Sequence, residues 1–532
     1  MIKKSNENIA VIGSGLSAIG AIRSLIDSGH KPTVIDFGEE LSTEKKALIS
    51  DLSKKPTKDW TNTELSNLIK SPNDSSKSPL SIPKKFLYGS DYFYGRSKKN
   101  LPIYKNKDIP PLSYAFGGLS SGWGAAALPI SEGDLENWPI SWEEIDEAFD
   151  RILSNLPYSA VEDRLSDKFK IYQDNPQALK ISNGASMLLE SLNKSYQKEN
   201  KDILFGQARL LIDSDKCKYY GHSMSGCVYG SIYQASEEIN NLIKDNKITY
   251  LNNCIVDSLE EDENKVYVNF YKLENGENGT LLKKEFDRVF LAAGATNSTR
   301  IVLNSKKLYD EDVNLRARGS YVLPFFSFRK LHSNWPNCNT HPELFVVFRN
   351  NTVSKWVHVQ ISTVNELFIY RLGVDLTKNP LIKKLKEFLI NHIFFAFINL
   401  HSEYGGYYNI HIKKDENKNH TNTLFSRYFA KNAPFKIIIS TIFTLTKIFL
   451  RAYSLPIIFL MKNNTSAYHV GCTMPMKSSQ TNKLDTDFLG RIKSWKRVHI
   501  VDSSVFPSLP GTTIGLLLIA NAYRIVKRIY VK

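Results

Sequence analysis

Cysteine is scarce, with five in 532 residues: Cys217, Cys227, Cys254, Cys338 and Cys472. An odd, scattered set excludes a disulfide scaffold and points to a reducing compartment. Long apolar runs are missing as well. No stretch of 18 residues is apolar throughout, which argues against a membrane-spanning helix. Residues 1–10 pair two lysines with an apolar run, as a signal peptide does. That run passes into Gly-Ser-Gly and a helical pattern where a cleavage site would stand. Acidic residues fall short of basic ones, 54 against 69, for a net charge of +15. The imbalance suits a phosphorylated ligand, an anionic membrane surface or simply a solvated lysine-rich face. Nucleic acid is not expected, because no recognition module accompanies the charge. No internal repeat is evident. These features predict a cytoplasmic protein, with a peripheral place on the inner face of the membrane as a second expectation. Hydrophobic residues at 42% and aromatics at 11% supply ample core, and the length suits two or three domains.

The richest local signal stands at the start. Ile9–Ile12 reads as a buried strand, followed by Gly13-Ser14-Gly15-Leu16-Ser17-Ala18 and a helix through Ile26. A second strand from Pro32 ends at Asp36. This is a dinucleotide fingerprint with alanine in the third glycine position. Gly13 permits the tight turn, Gly15 lets the backbone approach a pyrophosphate, and Ala18 keeps helix and strand close. The helix start offers free N–H groups to phosphate, and Asp36 is placed to accept from a ribose hydroxyl. The fingerprint does not separate FAD from NAD. Beyond Asp36 the pattern dissolves into Lys, Ser, Asn and Pro, with no compelling helix or strand as far as residue 110. Tyr88, Tyr92 and Tyr94 are its candidate anchors.

Farther on comes Phe116-Gly117-Gly118-Leu119-Ser120-Ser121-Gly122-Trp123-Gly124-Ala125, then Trp138-Pro139 and Ser141-Trp142. Adjacent glycines allow a loop to lie flat against a planar ring. The segment resembles the flavin-contacting stretch of glucose–methanol–choline oxidoreductases, in their pyranose-oxidase-like branch. Three other stretches resemble the same family: a strand over 248–256, a strand over 289–297 that turns at Gly294, and the C-terminal pair Tyr468-His469-Val470-Gly471 and Val501 to Ser508, followed by a helical pattern from about Thr513 to Val531. Together the matches extend over about half the chain, in family order.

The resemblance implies FAD, bound non-covalently, since Gly122 stands where some members carry a histidine that bonds the flavin. It implies cofactor contacts from Gly13, Ser14, Gly15, Ser17, Ala18, Asp36, Gly117, Gly118, Ser120, Ser121, Trp123 and Gly124. It implies others from Val256, Ala293, Gly294, Asp502 and Thr512. His469 takes the place of the base that removes a hydroxyl proton, a task suited to an imidazole neutral near pH 7. Thr513 falls where the family has a second histidine or an asparagine, and is the expected assisting group. No metal is expected. Cys217 and Cys227 flank His222, but the branch's other two cysteine positions hold Tyr220 and Ser223, too few ligands for zinc.

The middle of the chain resembles the family loosely. Alternation marks strands at 357–361, 368–371 and 407–412, candidates for an antiparallel substrate sheet. Leu381, Ile382, Leu385, Phe388 and Leu389 share one helical face beside Lys383, Lys384 and Lys386, and 435–460 is mostly Ile, Phe, Leu and Thr. Apolar faces edged by basic residues suit a membrane interface, and they equally suit helices that cover a sheet. The expected fold is α/β: a discontinuous Rossmann-type FAD-binding domain with an antiparallel-sheet substrate domain carrying extra helices. FAD-binding parts are expected at 1–50, 111–310 and 465–532, with an irregular excursion at 51–110 and the substrate domain at 311–464. The expected activity is oxidation of a CH–OH group on a sugar, glycoconjugate or lipid-linked sugar. The alternative is a membrane-peripheral flavin binder without turnover. Oxygen, a quinone and a carrier protein all stay open as electron acceptor.

Overall fold

The computed structural model describes residues 7–69, 87–90, 92–94, 112–196, 201–274, 277–332, 337–363, 379–414, 423–429, 434–463 and 468–531. Ile9–Ile12, apolar and wholly buried, is the middle strand of a five-stranded parallel sheet. The order is Val498–Ile500, Arg288–Leu291, Ile9–Ile12, Thr33–Ile35, Thr249–Leu251. Val11 lies opposite Val34 on one side and Phe290 on the other. Burial on both faces explains why these strands are near-continuous Val, Ile, Leu and Phe. The helix Leu16–Asp27 follows the glycine turn and packs against the C-terminal helix Gly515–Tyr530. Their crossing is close at Gly20, where a Cβ would stand 2.1 Å from the Ile519 carbonyl oxygen.

Three antiparallel sheets complete the architecture. The largest has seven strands. It runs Ser454–Pro456, Gly319–Ser327, Ile393–Leu400, Val357–Ser362, Leu344–Phe348, Ile203–Gln207, with Lys462–Asn463 also paired to Gly319–Ser327. Its two faces carry different cargo. Phe325 and Phe394 stack on one face and pack against Phe449 of the helix Phe435–Leu450. Val322, Pro324, Phe395 and Phe397 occupy the other. A four-stranded sheet contains Val313–Ala317, Tyr407–Lys413, Thr423–Phe429 and Val470–Gly471, and a three-stranded one spans Cys254–Phe286. The molecule is thus a mixed α/β fold with one parallel and three antiparallel sheets among the described residues.

Several sequence expectations change. The single strand expected over 248–256 is two, Thr249–Leu251 and Cys254–Glu261, in different sheets. Asn253 between them has φ of 55° and donates to the Phe37 carbonyl, so the chain turns out of the parallel sheet there. The segment after Asp36 contains the helices Thr43–Ser53 and Asn62–Ile69. Each fully buries a single leucine, Leu52 and Leu68, too little for a readable stripe. They are held by packing with Leu87, Phe93 and Val228. Tyr88 does anchor the segment, buried with its hydroxyl donating to the Cys227 carbonyl at 3.1 Å. Strands form at 357–362 and 407–413; the one expected at 368–371 lies outside the described residues, as does the Tyr94 side chain. The C-terminal helix begins at Gly515, leaving Thr513 in the loop before it.

Candidate active site

One cavity of about 830 Å³ joins the carboxyl ends of the parallel strands to the inner face of the seven-stranded sheet. Ligands of open parallel sheets collect at that end of the strands. Gly13, Ser14, Gly15, Ser17 and Asp36 line the first part. Gly13 has φ of 105°, and a Cβ there would meet the Ala292 carbonyl oxygen at 2.5 Å, so glycine is required. Gly15 has nothing closer than 3.9 Å to an added Cβ, leaving its backbone open to the cavity. Ser14 Oγ donates to Asp36 and accepts from the Gly117 N–H at 2.9 Å, tying the glycine turn to the second glycine segment. Tyr250 also donates to Asp36, at 3.0 Å. Burial nevertheless pushes the Asp36 carboxyl up to about 6.

Gly118, Ser120, Trp123, Gly124, Val256, Ala293, Gly294 and Asp502 reach the same wall. Gly117, Ser121, Ala18, Thr512 and Thr513 stand behind it. Ser121 Oγ donates to the Phe116 carbonyl at 2.6 Å, and Ser120 Oγ to that of Gly117, so these serines brace the turn. Asp502 is buried with its carboxylate accepting from Ser298 and from the Ser504 N–H at 3.0 Å; burial raises its pKa.

His469 lines the cavity, half-buried, immediately before the strand Val470–Gly471. Its ring has no hydrogen-bond partner among the described residues, while its carbonyl accepts from the Arg318 N–H at 3.3 Å. Burial, then the Arg318 guanidinium and His358, hold the imidazole well below its ordinary pKa. It is therefore neutral near pH 7 and able to accept a proton. Arg318 is buried and donates from Nη1 to the carbonyls of Gly511 and Thr512 and from Nη2 to Asn399 Oδ1 at 3.2 Å. No carboxylate pairs with it among the described residues, and burial lowers its pKa to about 9.

No protein-family model matches this sequence, and no curated protein matches it. Solved structures do. Pyridoxine 4-oxidase from Mesorbium loti superposes with a TM-score of 0.54 at 12% identity, over 98% of this chain and 99% of that one. The two share a fold.

The cavity's donors fit FAD. The helix Leu16–Asp27 has no side-chain cap at Gly15, so its first N–H groups remain for a pyrophosphate. The C-terminal helix is likewise uncapped, and its first residues Ile514 and Gly515 line the cavity beside Trp123. The Oγ1 atoms of Thr512 and Thr513 are buried without a hydrogen-bond partner. Each leaves an unspent polar group just before the cavity-lining Ile514 and Gly515. Arg300, buried on the helix Ala295–Ser305, also lines the cavity with Nε and Nη1 unpartnered. Sequence reasoning missed Arg300, Arg318 and His358. None belongs to a motif; His358 is a lone histidine between Val357 and Val359 in a largely buried strand. Among the described residues no group of three His, Cys, Asp or Glu side chains can hold a metal ion.

Proposed function

We propose that the chain is an FAD-dependent oxidoreductase that oxidises a CH–OH group, with FAD held non-covalently and His469 as the base. The observation that carries this reading is a neutral imidazole, without a ring partner among the described residues, in the same cavity as the Gly13–Gly15 turn, Asp36 and the Gly118–Gly124 segment. Gly13, Gly15 and the first turn of the following helix would hold the pyrophosphate, Asp36 a ribose hydroxyl, and the Gly118–Gly124 segment the ring system. FAD, when bound, supplies the two-electron oxidant for the hydride that leaves the carbinol carbon.

His469 accepts the hydroxyl proton on an imidazole nitrogen as the C–O single bond becomes C=O. The Arg318 charge and the uncapped helix end at Ile514–Gly515 place positive potential where negative charge accumulates. Thr513, the assisting group that the resemblance implies, keeps an unspent hydroxyl but does not line the cavity, so no contact with substrate is assigned to it. That same feature supports the second reading, a flavin binder without turnover. Sugars, glycoconjugates and lipid-linked alcohols are the substrates to compare. Anaerobic addition of each to the purified flavoprotein tests the reading. Bleaching of the band near ~450 nm supports it, and a protein that takes up no flavin overturns it.

A further inference from the structure

The cavity's lining includes residues of an exposed apolar surface, Phe459 among them. The helix Pro380–Ile390 has no buried residue. Its Leu389 and Ile390 line the cavity, whereas Leu381, Leu385 and Phe388, at i, i+4 and i+7, form a stripe exposed to solvent. Leu381 is 78% exposed and Phe459, which also lines the cavity, is 87% exposed. The stripe continues through exposed Phe328: Phe326 touches both Phe328 and Phe388 and pairs in register with Leu455. Ile457 then donates to Pro324 and leads into the turn Ile458–Leu460. A connected apolar face of this kind marks an interaction site.

Charge selects the partner. Lys383 and Lys384 are exposed beside the stripe, Arg329 and Lys330 beside Phe328, and Glu387 is the single acid on the helix. We infer that this face docks on an anionic phospholipid bilayer and that the substrate is a membrane-resident alcohol with a hydrocarbon chain. The stripe inserts among the acyl chains while the basic residues meet the phosphates. The cavity mouth then opens into the bilayer at Phe459. Inside, Val322, Leu389, Ile393, Phe397 and Ile457 offer hydrocarbon to a chain, and His469 is reached by the hydroxyl end. A sugar in this half would leave most of its hydroxyls unmatched. This inference deepens the catalytic reading above and rests on it for the substrate, though not for docking.

Docking is tested without turnover, by cosedimentation with vesicles of phosphatidylcholine containing about a quarter phosphatidylglycerol. The wild-type holoprotein is expected to bind these, to bind pure phosphatidylcholine far less, and to release as salt rises. The double variant L381S/L385S, altered at exposed positions away from the cavity, is expected to bind at least about tenfold more weakly. It should retain flavin content and its rate with a short soluble alcohol. Hexadecanol carried in the vesicles should reduce the wild-type flavin faster than the variant's. Absence of vesicle binding overturns the inference. So does a stable wild-type dimer that the same variant dissociates, because the stripe would then cover a second copy. Vesicle binding with no flavin reduction by any alcohol supports the docking face and overturns the catalytic reading instead.

Discussion

Arg318 Nη1 donates to the carbonyl of Gly511 at 2.8 Å, fastening the link between the strands Val313–Ala317 and Gly319–Ser327 to the loop that precedes the C-terminal helix. The same guanidinium bonds Thr512 and Asn399, so one buried cation joins the parallel-sheet half of the site to the seven-stranded sheet.

Replacing Arg318 by Met therefore has two expected effects. Two loop carbonyls lose a buried donor at about 1–3 kcal/mol each, lowering the melting temperature. The charge that depresses His469 also disappears. On the proposed chemistry flavin reduction needs neutral His469 and fails as pH falls through its pKa, so the acid limb of the rate profile should move to higher pH in R318M. An unshifted limb would separate His469 from the titrating base.

His469→Ala should leave FAD bound and the fold intact, because the ring makes no hydrogen bond with the described residues. The rate of anaerobic flavin reduction is expected to drop by roughly 10²–10⁴. Stopped-flow traces that match wild type would remove His469 from the chemistry.

Gly20→Ala tests the helix crossing. The new Cβ would overlap the Ile519 carbonyl, and a displaced backbone costs about 1–3 kcal/mol. Because the C-terminal helix carries the Ile514–Gly515 end of the site, FAD should also be retained more weakly. Gly133→Ala, where an added Cβ meets nothing within 4 Å, is the control, expected to melt as wild type does.

Part of the acid sensitivity should come from His499. It is buried, with Nδ1 donating to the Leu489 carbonyl and Nε2 accepting from Arg288. Burial and Arg288 press its pKa to about 3. The unfolded chain binds this proton below about 6.5, the folded one only near 3. Stability is complete above the unfolded value and declines as pH falls through that window. His499→Gln should flatten the slope of denaturant midpoint against pH; an unchanged slope would assign the decline to other groups.

Local chemistry made much of the fold legible. The strand–glycine–helix unit at 9–27, the turn at Gly294 and the alternating strands at 357 and 407 form because residue period and backbone freedom act over a few neighbours. The helices at 43–69 escaped notice because one buried leucine apiece leaves no period to see. The grouping of Gly13, Gly118, Val256, Gly294 and His469 around one cavity required the sheets to converge, although each segment had its own signature.

What the sequence determined by itself was the set of parts: a strand–glycine–helix turn, a paired-glycine segment, a histidine before a short strand, and two apolar helices edged by lysine. Only tertiary structure decided which parts meet. It withdrew Thr512 and Thr513 behind the wall, brought Arg318 and His358 up to His469, and turned the stripe of one helix outward while burying much of the other. Periodicity records which residues share a face. What covers that face depends on distant chain, and buried charge acquires its meaning only from the neighbours that desolvate it.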